Sequence, residues 1–203
     1  MSERWIPLDV TDTDADPFVQ FRHWFDEAEH EMREREAIAL VTATSDARPS
    51  ARMVLLRYVG DDGFGWYSNY LSRKGVELEE NPHAALLWYC EPLGRQIRIE
   101  GMVRHMDEAS SDAYFAARPR GHQIGAHASA QSSTLRDRAQ LEERLARLDH
   151  DFSGVDVVRP AHWGGFLLTP SYFEFWQHRQ DRLHDRVVYE PLDGAWQRSR
   201  LSP

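Results

Sequence analysis

The sequence predicts an α+β fold, a barrel of six or more antiparallel strands with flanking helices. Three observations lead there. Short apolar or alternating runs rich in Val, Ile, Leu and aromatics are separated by turn residues, the signature of strands. Helical periods interrupt these runs irregularly, so the chain lacks the strand–helix alternation of a doubly wound sheet. No Gly-x-Gly-x-x-Gly occurs, so a phosphate-bearing cofactor would have to be held by side chains. With 203 residues, 41% of them hydrophobic, the chain can bury one good core. The expected organisation is a flexible or loosely docked acidic tail over 1–16 and a single domain over 17–203.

The elements follow in order. Residues 1–16 carry five Asp/Glu and read as the tail. Asp16 caps a helix with Pro17 at its first position; Phe18, Phe21, Trp24, Phe25 and Ala28 give it an apolar stripe to about residue 35. Residues 37–44 and 50–59 read as strands about the turn Ser45-Asp46-Ala47-Arg48-Pro49, and Gly60-Asp61-Asp62-Gly63 turns into a third strand over 64–68. Ser72 caps a short helix that ends near Asn81-Pro82. Strands are expected at 84–89 and 96–106, then a helix from Asp107 that closes before Arg118-Pro119-Arg120-Gly121. Residues 134–149 form an amphipathic helix with Leu135, Leu141, Leu145 and Leu148 inward. Strands at 165–169, 172–176, 183–189 and 195–201 complete the chain.

Charge narrows the functional classes. The net charge is −9, but residues 1–36 hold 11 acids against 4 Arg, leaving the body nearly neutral. Without a net basic domain to release counterions, a nucleic-acid partner is disfavoured. No apolar run approaches the length of a membrane span, and the polar first ten residues do not read as a secretory signal. The lone Cys90 follows a buried-strand pattern and reads as a core thiol. Together these point to the cytoplasm.

Several motifs carry chemistry. Arg52-Met53-Val54-Leu55-Leu56-Arg57 is a strand with Arg at both ends, which by itself fits a solvated edge. Tyr67-Ser68-Asn69-Tyr70-Leu71-Ser72-Arg73-Lys74 joins a strand end to a helix start. A helix N-terminus attracts phosphate, and adjacent Arg73 and Lys74 would repel each other without an anion. Arg95-Gln96 opens a strand and Gln131-Ser132-Ser133 precedes a helix; each offers donors to ring atoms or phosphate oxygens. Between Glu174 and Arg186 the chain sets Trp176 on a strand-like run, and alternation places Arg182, His184 and Arg186 on one face of an extended segment. Three such groups on one face suit something anionic or electron-rich, or else a solvated basic strand.

Taken in order, these segments, with Tyr114-Phe115, Arg118-Pro119-Arg120, Gln123-Ile124-Gly125-Ala126, Trp163-Gly164-Gly165-Phe166 and the terminal Arg200-Leu201-Ser202-Pro203, resemble the pyridoxamine/pyridoxine 5'-phosphate oxidase family from residue 17 to 203. The resemblance implies an FMN-binding split β-barrel, a homodimer with FMN bound by both chains. It places FMN contacts on Arg52, Met53, Val54, Leu55, Tyr67, Ser68, Arg73, Lys74, Gln96, Gln131, Ser132, Trp176 and Arg186. It places substrate contacts on Arg57, Tyr114, Arg118, His122, Arg182, Leu183 and His184, with Arg182 and His184 catalytic and no metal. The implied reaction is oxidation of pyridoxamine or pyridoxine 5'-phosphate to pyridoxal 5'-phosphate by O2, releasing H2O2. The sequence departs from the family pattern at Arg57 (usually Lys), His122 (usually Ser) and His178-Arg179 (usually Gly-Gly), and it lacks the usual N-terminal Arg-Arg-x-Tyr segment. Two alternatives are a flavin oxidase of phenazine biosynthesis acting on a non-phosphorylated aromatic, and a non-catalytic flavin- or pyridoxal-phosphate-binding protein. Arg57, Tyr114 and Arg118 oppose the first, and Arg182 with His184 oppose the second.

Overall fold

A computed structural model describes residues 6–203. Among these residues nine strands form one antiparallel sheet, curled into a half-barrel, with five α-helices around it. The strands are β1 (Ala37–Ala43), β2 (Pro49–Leu55), β3 (Tyr58–Gly60), β4 (Gly63–Asn69), β5 (His83–Cys90), β6 (Arg95–His105), β7 (Trp163–Gln177), β8 (Asp185–Leu192) and β9 (Ala195–Arg200). The helices are α1 (Pro17–Glu27), α2 (Arg73–Glu80), α3 (Glu108–Ala116), α4 (Arg120–Ala128) and α5 (Arg138–Asp151). Strand order is β2-β1-β5-β6-β7-β4-β3, with β8 on β7 and β9 on β8. No helix among the described residues is long and apolar enough to cross a membrane.

The core sits between the sheet and α1. Phe18, Phe21 and Trp24, spaced three apart on one helix face, meet Phe64, Phe173 and Phe175; ring centroids lie 4.7 Å apart for Phe21–Phe64 and 5.3 Å for Trp24–Phe175. A second, smaller core of Phe115, Ile124, Val157 and Trp163 joins α3 and α4 to the start of β7, with Leu145 and Leu148 of α5 packed against it.

Several boundaries differ from the sequence reading, each for a physical reason. Helix α1 stops at Glu27, not near residue 35: the Ala28 N–H closes onto the Asp26 carbonyl, and the stretch to residue 36 runs as turns. Arg35 folds back instead, donating to the Phe25 carbonyl at 3.1 Å and covering the Phe25 ring. The expected strand over 50–59 is two. At Leu56 and Arg57 the chain leaves β1 for β4, with the Leu56 N–H on Glu36 and the Arg57 N–H on Gly65. Helix α4 was absent from the sequence reading because Gly121 and Gly125 weaken its signal; Gln123 anchors it through bonds to the Phe115 and Ala116 carbonyls. Helix α5 starts at Arg138, capped by Asp137, so Leu135 lies before it and is exposed.

The two strands expected at 165–169 and 172–176 are one. β7 runs through Pro170 because a bulge opposite Glu100/Gly101 of β6, in which Ser171 is the extra residue, absorbs the irregularity. A Cβ on Gly101 would sit 2.1 Å from the Thr169 carbonyl oxygen, so only glycine allows that approach. The expected tail is docked where it is described: Leu8 is buried, its N–H donates to Asp185 at 3.1 Å, and Arg200 holds the Leu8 carbonyl and Asp9. Residues 1–5 of that tail lie outside the described residues.

Candidate active site

Strand β4 ends at Asn69, and the next turn starts α2 with Ser72 as its cap, the Ser72 hydroxyl accepting from the Gly75 N–H. A Cβ on Gly75 would lie 1.9 Å from the Tyr70 carbonyl oxygen, so the helix start packs directly on the backbone that precedes it. Lys74, buried there, donates to Ser68 Oγ and Ser72 Oγ at 3.1 Å and to Gln131 Oε1 at 3.3 Å. All three acceptors are neutral. Burial, and then the nearby Arg52 guanidinium, push the ammonium down to about 8.

Arg73 points elsewhere. Its Nε reaches Glu77 at 2.8 Å one turn along α2, while its backbone N–H donates to Ser132 Oγ. Arg52 of β2 meets the same carboxylate at 3.2 Å. Burial works to raise the Glu77 pKa, but hydrogen bonds from Ser50, Thr42, Arg73 and Arg52 outweigh it and hold it at about 2. Glu77 therefore pairs directly with Arg73 and acts on Lys74 only through space, which leaves the Lys74 ammonium without a carboxylate in contact.

Lys74 opens into a cavity of about 510 Å³ lined by Met53, Val54, Leu55, Arg57, Tyr67, Ser68, Tyr114, Arg118, His122, Gln131 and Trp163. β2 supplies an apolar wall there, with Met53 and Leu55 exposed toward it. Tyr67 and Tyr114 stack at 3.8 Å, and Arg118 lies 4.5 Å over the Trp163 ring. Arg118 Nη1 is buried and has no hydrogen-bond partner among the described residues. A buried, unpaired guanidinium N–H is costly, so it marks a place where an anion would bind.

The remaining expected residues form a second cluster. Gln96, Trp176 and Arg186 are register neighbours across β6, β7 and β8. Arg186 Nε pairs with buried Glu174 at 2.7 Å, and Arg98 takes the other Glu174 oxygen at 2.7 Å. His184 lies 4.5 Å from the Trp176 ring and 5.0 Å from the His178 ring. Its Nδ1 accepts the Arg179 backbone N–H at 3.2 Å, so the neutral ring carries its proton on Nε2. Burial, then His178 and Arg182, lower its pKa.

One expectation about this cluster is corrected. Arg182 and His184 do not alternate along a strand with Arg186. β8 begins at Asp185, and residues 180–182 form a short 3-10 turn in which Asp181 and Arg182 take φ of 54° and 62°. The turn leaves Arg182 and Leu183 exposed. Nor does one chain unite the two clusters. Trp163 and Trp176 stand at opposite ends of β7, separated by about 40 Å of strand at ~3.3 Å per residue.

The sequence reading missed Glu77, Trp163 and Glu174 as site residues. Glu77 had a usable signal, since it stands three residues from Lys74 and four from Arg73 on one helix. Trp163 and Glu174 sat inside quoted motifs with no local feature to single them out.

Comparison with known proteins identifies the family. Residues 25–150 match the family model described as pyridoxamine 5'-phosphate oxidase. Residues 163–203 match that of the pyridoxine 5'-phosphate oxidase C-terminal dimerisation region, which contains the whole Trp176–Arg186 part of the second cluster. The pyridoxine/pyridoxamine 5'-phosphate oxidase of Salinibacter ruber is 50% identical, over 96% of this chain and 91% of its own. That of Cupriavidus metallidurans is 49% identical, over 97% and 93%. Among solved structures, PhzG from Burkholderia lata 383 in complex with tetrahydrophenazine-1-carboxylic acid superposes with a TM-score of 0.91 at 33% identity, covering 99% of this chain and 100% of that one. An FMN-binding protein from Nostoc punctiforme, at TM-score 0.70 and 18% identity over 90% of this chain and 97% of its own, shares the split-barrel fold. On both its halves, and over nearly its full length, the chain belongs to the pyridoxamine 5'-phosphate oxidase family.

Proposed function

We propose that the chain is an FMN-dependent oxidase that converts pyridoxamine 5'-phosphate and pyridoxine 5'-phosphate to pyridoxal 5'-phosphate. The observation that carries this reading is a cavity lined by cations without a carboxylate partner among the described residues, Lys74 on one hand and Arg57 with Arg118 on the other. A phosphorylated cofactor and a phosphorylated substrate supply one anion for each. The full-length relatives at about 50% identity bear the matching name.

The residues present fit FMN. Lys74, Ser68, Gln131 and Ser132, with Arg52 and Arg73 tied to Glu77, would hold its phosphate; Met53, Val54, Leu55 and Tyr67 would wall the ring. When bound, FMN would supply the redox chemistry, taking a hydride from the substrate C4' carbon and passing the electrons to O2, which leaves as H2O2; with the amine substrate, water then hydrolyses the imine and ammonia leaves. The chain's own work is placement and charge. Arg57, Tyr114, Arg118 and His122 grip the substrate phosphate, and the Tyr67–Tyr114–Trp163 aromatics keep water from that grip. Arg182, Leu183 and His184 set the substrate ring, with His184 Nε2–H directed to its hydroxyl and held by the Arg179 amide on the other nitrogen.

Gln96, Trp176, Arg186 and the Arg182–His184 turn reach that cavity from a second copy of the chain. The 40 Å of β7 between the clusters and the dimerisation-region match support this shared site, so the working unit is a homodimer. A reducing, cytoplasmic setting belongs to the same proposal and suits the buried, unpaired Cys90.

The test uses purified protein with FMN, assayed for H2O2 and pyridoxal phosphate from each phosphorylated substrate. The likeness to PhzG makes a reduced phenazine carboxylate the competing substrate. Oxidation of that compound with rejection of pyridoxamine phosphate would refute the proposal. Sharing of the site is tested by mixing Arg118→Ala and Arg182→Ala proteins under exchange and assaying at substrate well below KM, where each variant alone is strongly impaired. Half the chains then sit in mixed dimers with one intact site, so about a quarter of wild-type activity returns. No recovery, with exchange verified by mass, rules out a shared site.

A further inference from the structure

Glu77 does not line the cavity, yet it is buried to 3% exposure and ties three elements together. Its Oε1 accepts from Arg73 Nε of α2; its Oε2 accepts from Thr42 of β1 at 2.5 Å, Ser50 of β2 at 2.6 Å and Arg52 of β2 at 3.2 Å. Arg52 and Arg73 have no other carboxylate partner among the described residues. Lys74, one turn before Glu77 on the same helix face, has only neutral partners. Three cations against one carboxylate leave two positive charges, the number a phosphate dianion cancels.

We propose that Glu77 is a positioning residue that clamps Arg52 and Arg73 beside the cofactor phosphate and so makes this site select phosphorylated flavin over riboflavin. The inference rests on the reading above that the Lys74 corner takes the FMN phosphate. Two effects of losing Glu77 oppose each other. Removing a negative charge near a dianion strengthens binding by Coulomb attraction. Removing the clamp frees two long side chains, which must then be ordered each time phosphate binds, and strands them beside a buried ammonium. The clamp prevails, because both Arg lose their only carboxylate, and in Glu77→Gln a neutral amide oxygen replaces the charged acceptor of Thr42 and Ser50.

The experiment measures flavin fluorescence quenching with the full-length protein freed of flavin, titrating FMN and riboflavin separately into wild type and Glu77→Gln. Wild type should prefer FMN. Glu77→Gln should lose ~10–100-fold in FMN affinity, the worth of about one charge-assisted hydrogen bond, with riboflavin affinity within about twofold. Unchanged or tighter FMN binding overturns the inference, as does an equal loss for both flavins, which would mark a merely structural role. A wild type that does not distinguish the two flavins defeats the underlying phosphate reading instead. If Glu77→Gln does not fold, Thr42→Val replaces it. That near-isosteric change removes one donor to Glu77 and one Arg52 contact, and should lower the FMN-to-riboflavin preference at least ~3-fold by loss of a neutral hydrogen bond. An unchanged preference in that variant overturns the clamp.

Discussion

Lys74→Met should make the flavin-free protein more stable while nearly abolishing FMN binding. Lys74 is 7% exposed, and its ammonium is held near 8, against an ordinary 10.5, by burial and Arg52. That depression corresponds to about 3 kcal/mol of penalty for keeping the charge in the folded state at neutral pH. Methionine keeps the stem and removes the charge. It also forfeits three hydrogen bonds to neutral oxygens, though Ser68 and Gln131 retain their bond to each other and Ser72 keeps the Asn69 carbonyl. Offsetting about 1–2 kcal/mol for those bonds leaves a net gain of about 1–2 kcal/mol, or roughly 3–6 °C in Tm for a chain of this length. The pH dependence is diagnostic. Between about 8 and 10.5 the unfolded chain binds this proton and the folded chain does not, so wild-type stability from this group rises with pH across that window. The advantage of the variant should thus be full at pH 7 and small at pH 10. Thermal unfolding of both flavin-free proteins at the two pH values, followed by circular dichroism, reads it directly. FMN titration should show ~10–100-fold weaker binding in the variant. A variant that melts below wild type at pH 7, or a difference independent of pH, would refute the argument that Lys74 is an uncompensated buried cation.

Three further outcomes follow from the placement of the substrate groups. Arg118→Ala should raise KM for pyridoxamine phosphate ~10-fold or more with little change in kcat, because phosphate is gripped alike in ground and transition states. A main effect on kcat would remove Arg118 from that role. Arg182→Ala should chiefly lower kcat, and a pure KM effect would count against it. His184, with its pKa below the ordinary 6.5, should remain neutral through pH 7, so kcat should fall only in more acidic buffer; His184→Asn should erase that acid limb.

Much of this was legible in the chain before any coordinates. Apolar alternation located most strands within two residues, and Asp16, Ser72 and Asp107 marked three helix starts through their capping chemistry. What escaped depended on distant partners. The run from Ser50 to Val59 reads as one continuous strand, and only β4 on its far side explains why it breaks at Leu56-Arg57. Pro170 looks like a strand end until the Gly101 bulge is known. The Arg182–His184 spacing fits a strand, but the left-handed Asp181 and Arg182 turn it into a corner, which local sequence does not encode. The site was legible as a set of residue types, and its charge balance was not. Arg52, Arg73 and Lys74 look equivalent in sequence, whereas the fold gives Glu77 to two of them and leaves the third bare.

That uneven balance divides the labour between the clusters. In the first, Lys74 and Arg118 have no carboxylate partner among the described residues, which is why the proposed reading puts both the cofactor phosphate and the substrate phosphate there. In the second, Arg186 and Arg98 are set against buried Glu174 and Glu100, and Arg179 and Arg200 against Asp185 and Asp9. Those arginines arrive already neutralised, fit to hydrogen-bond ring edges and hold His184 in one tautomer, but poor at drawing a dianion away from the first cluster. Opposing ends of one chain could not exchange these roles. On the proposed reading, a neutralised cluster from one copy set against a charged cluster from the other would fix how each phosphorylated ligand lies, its phosphate anchored in one subunit and its ring face presented to the other.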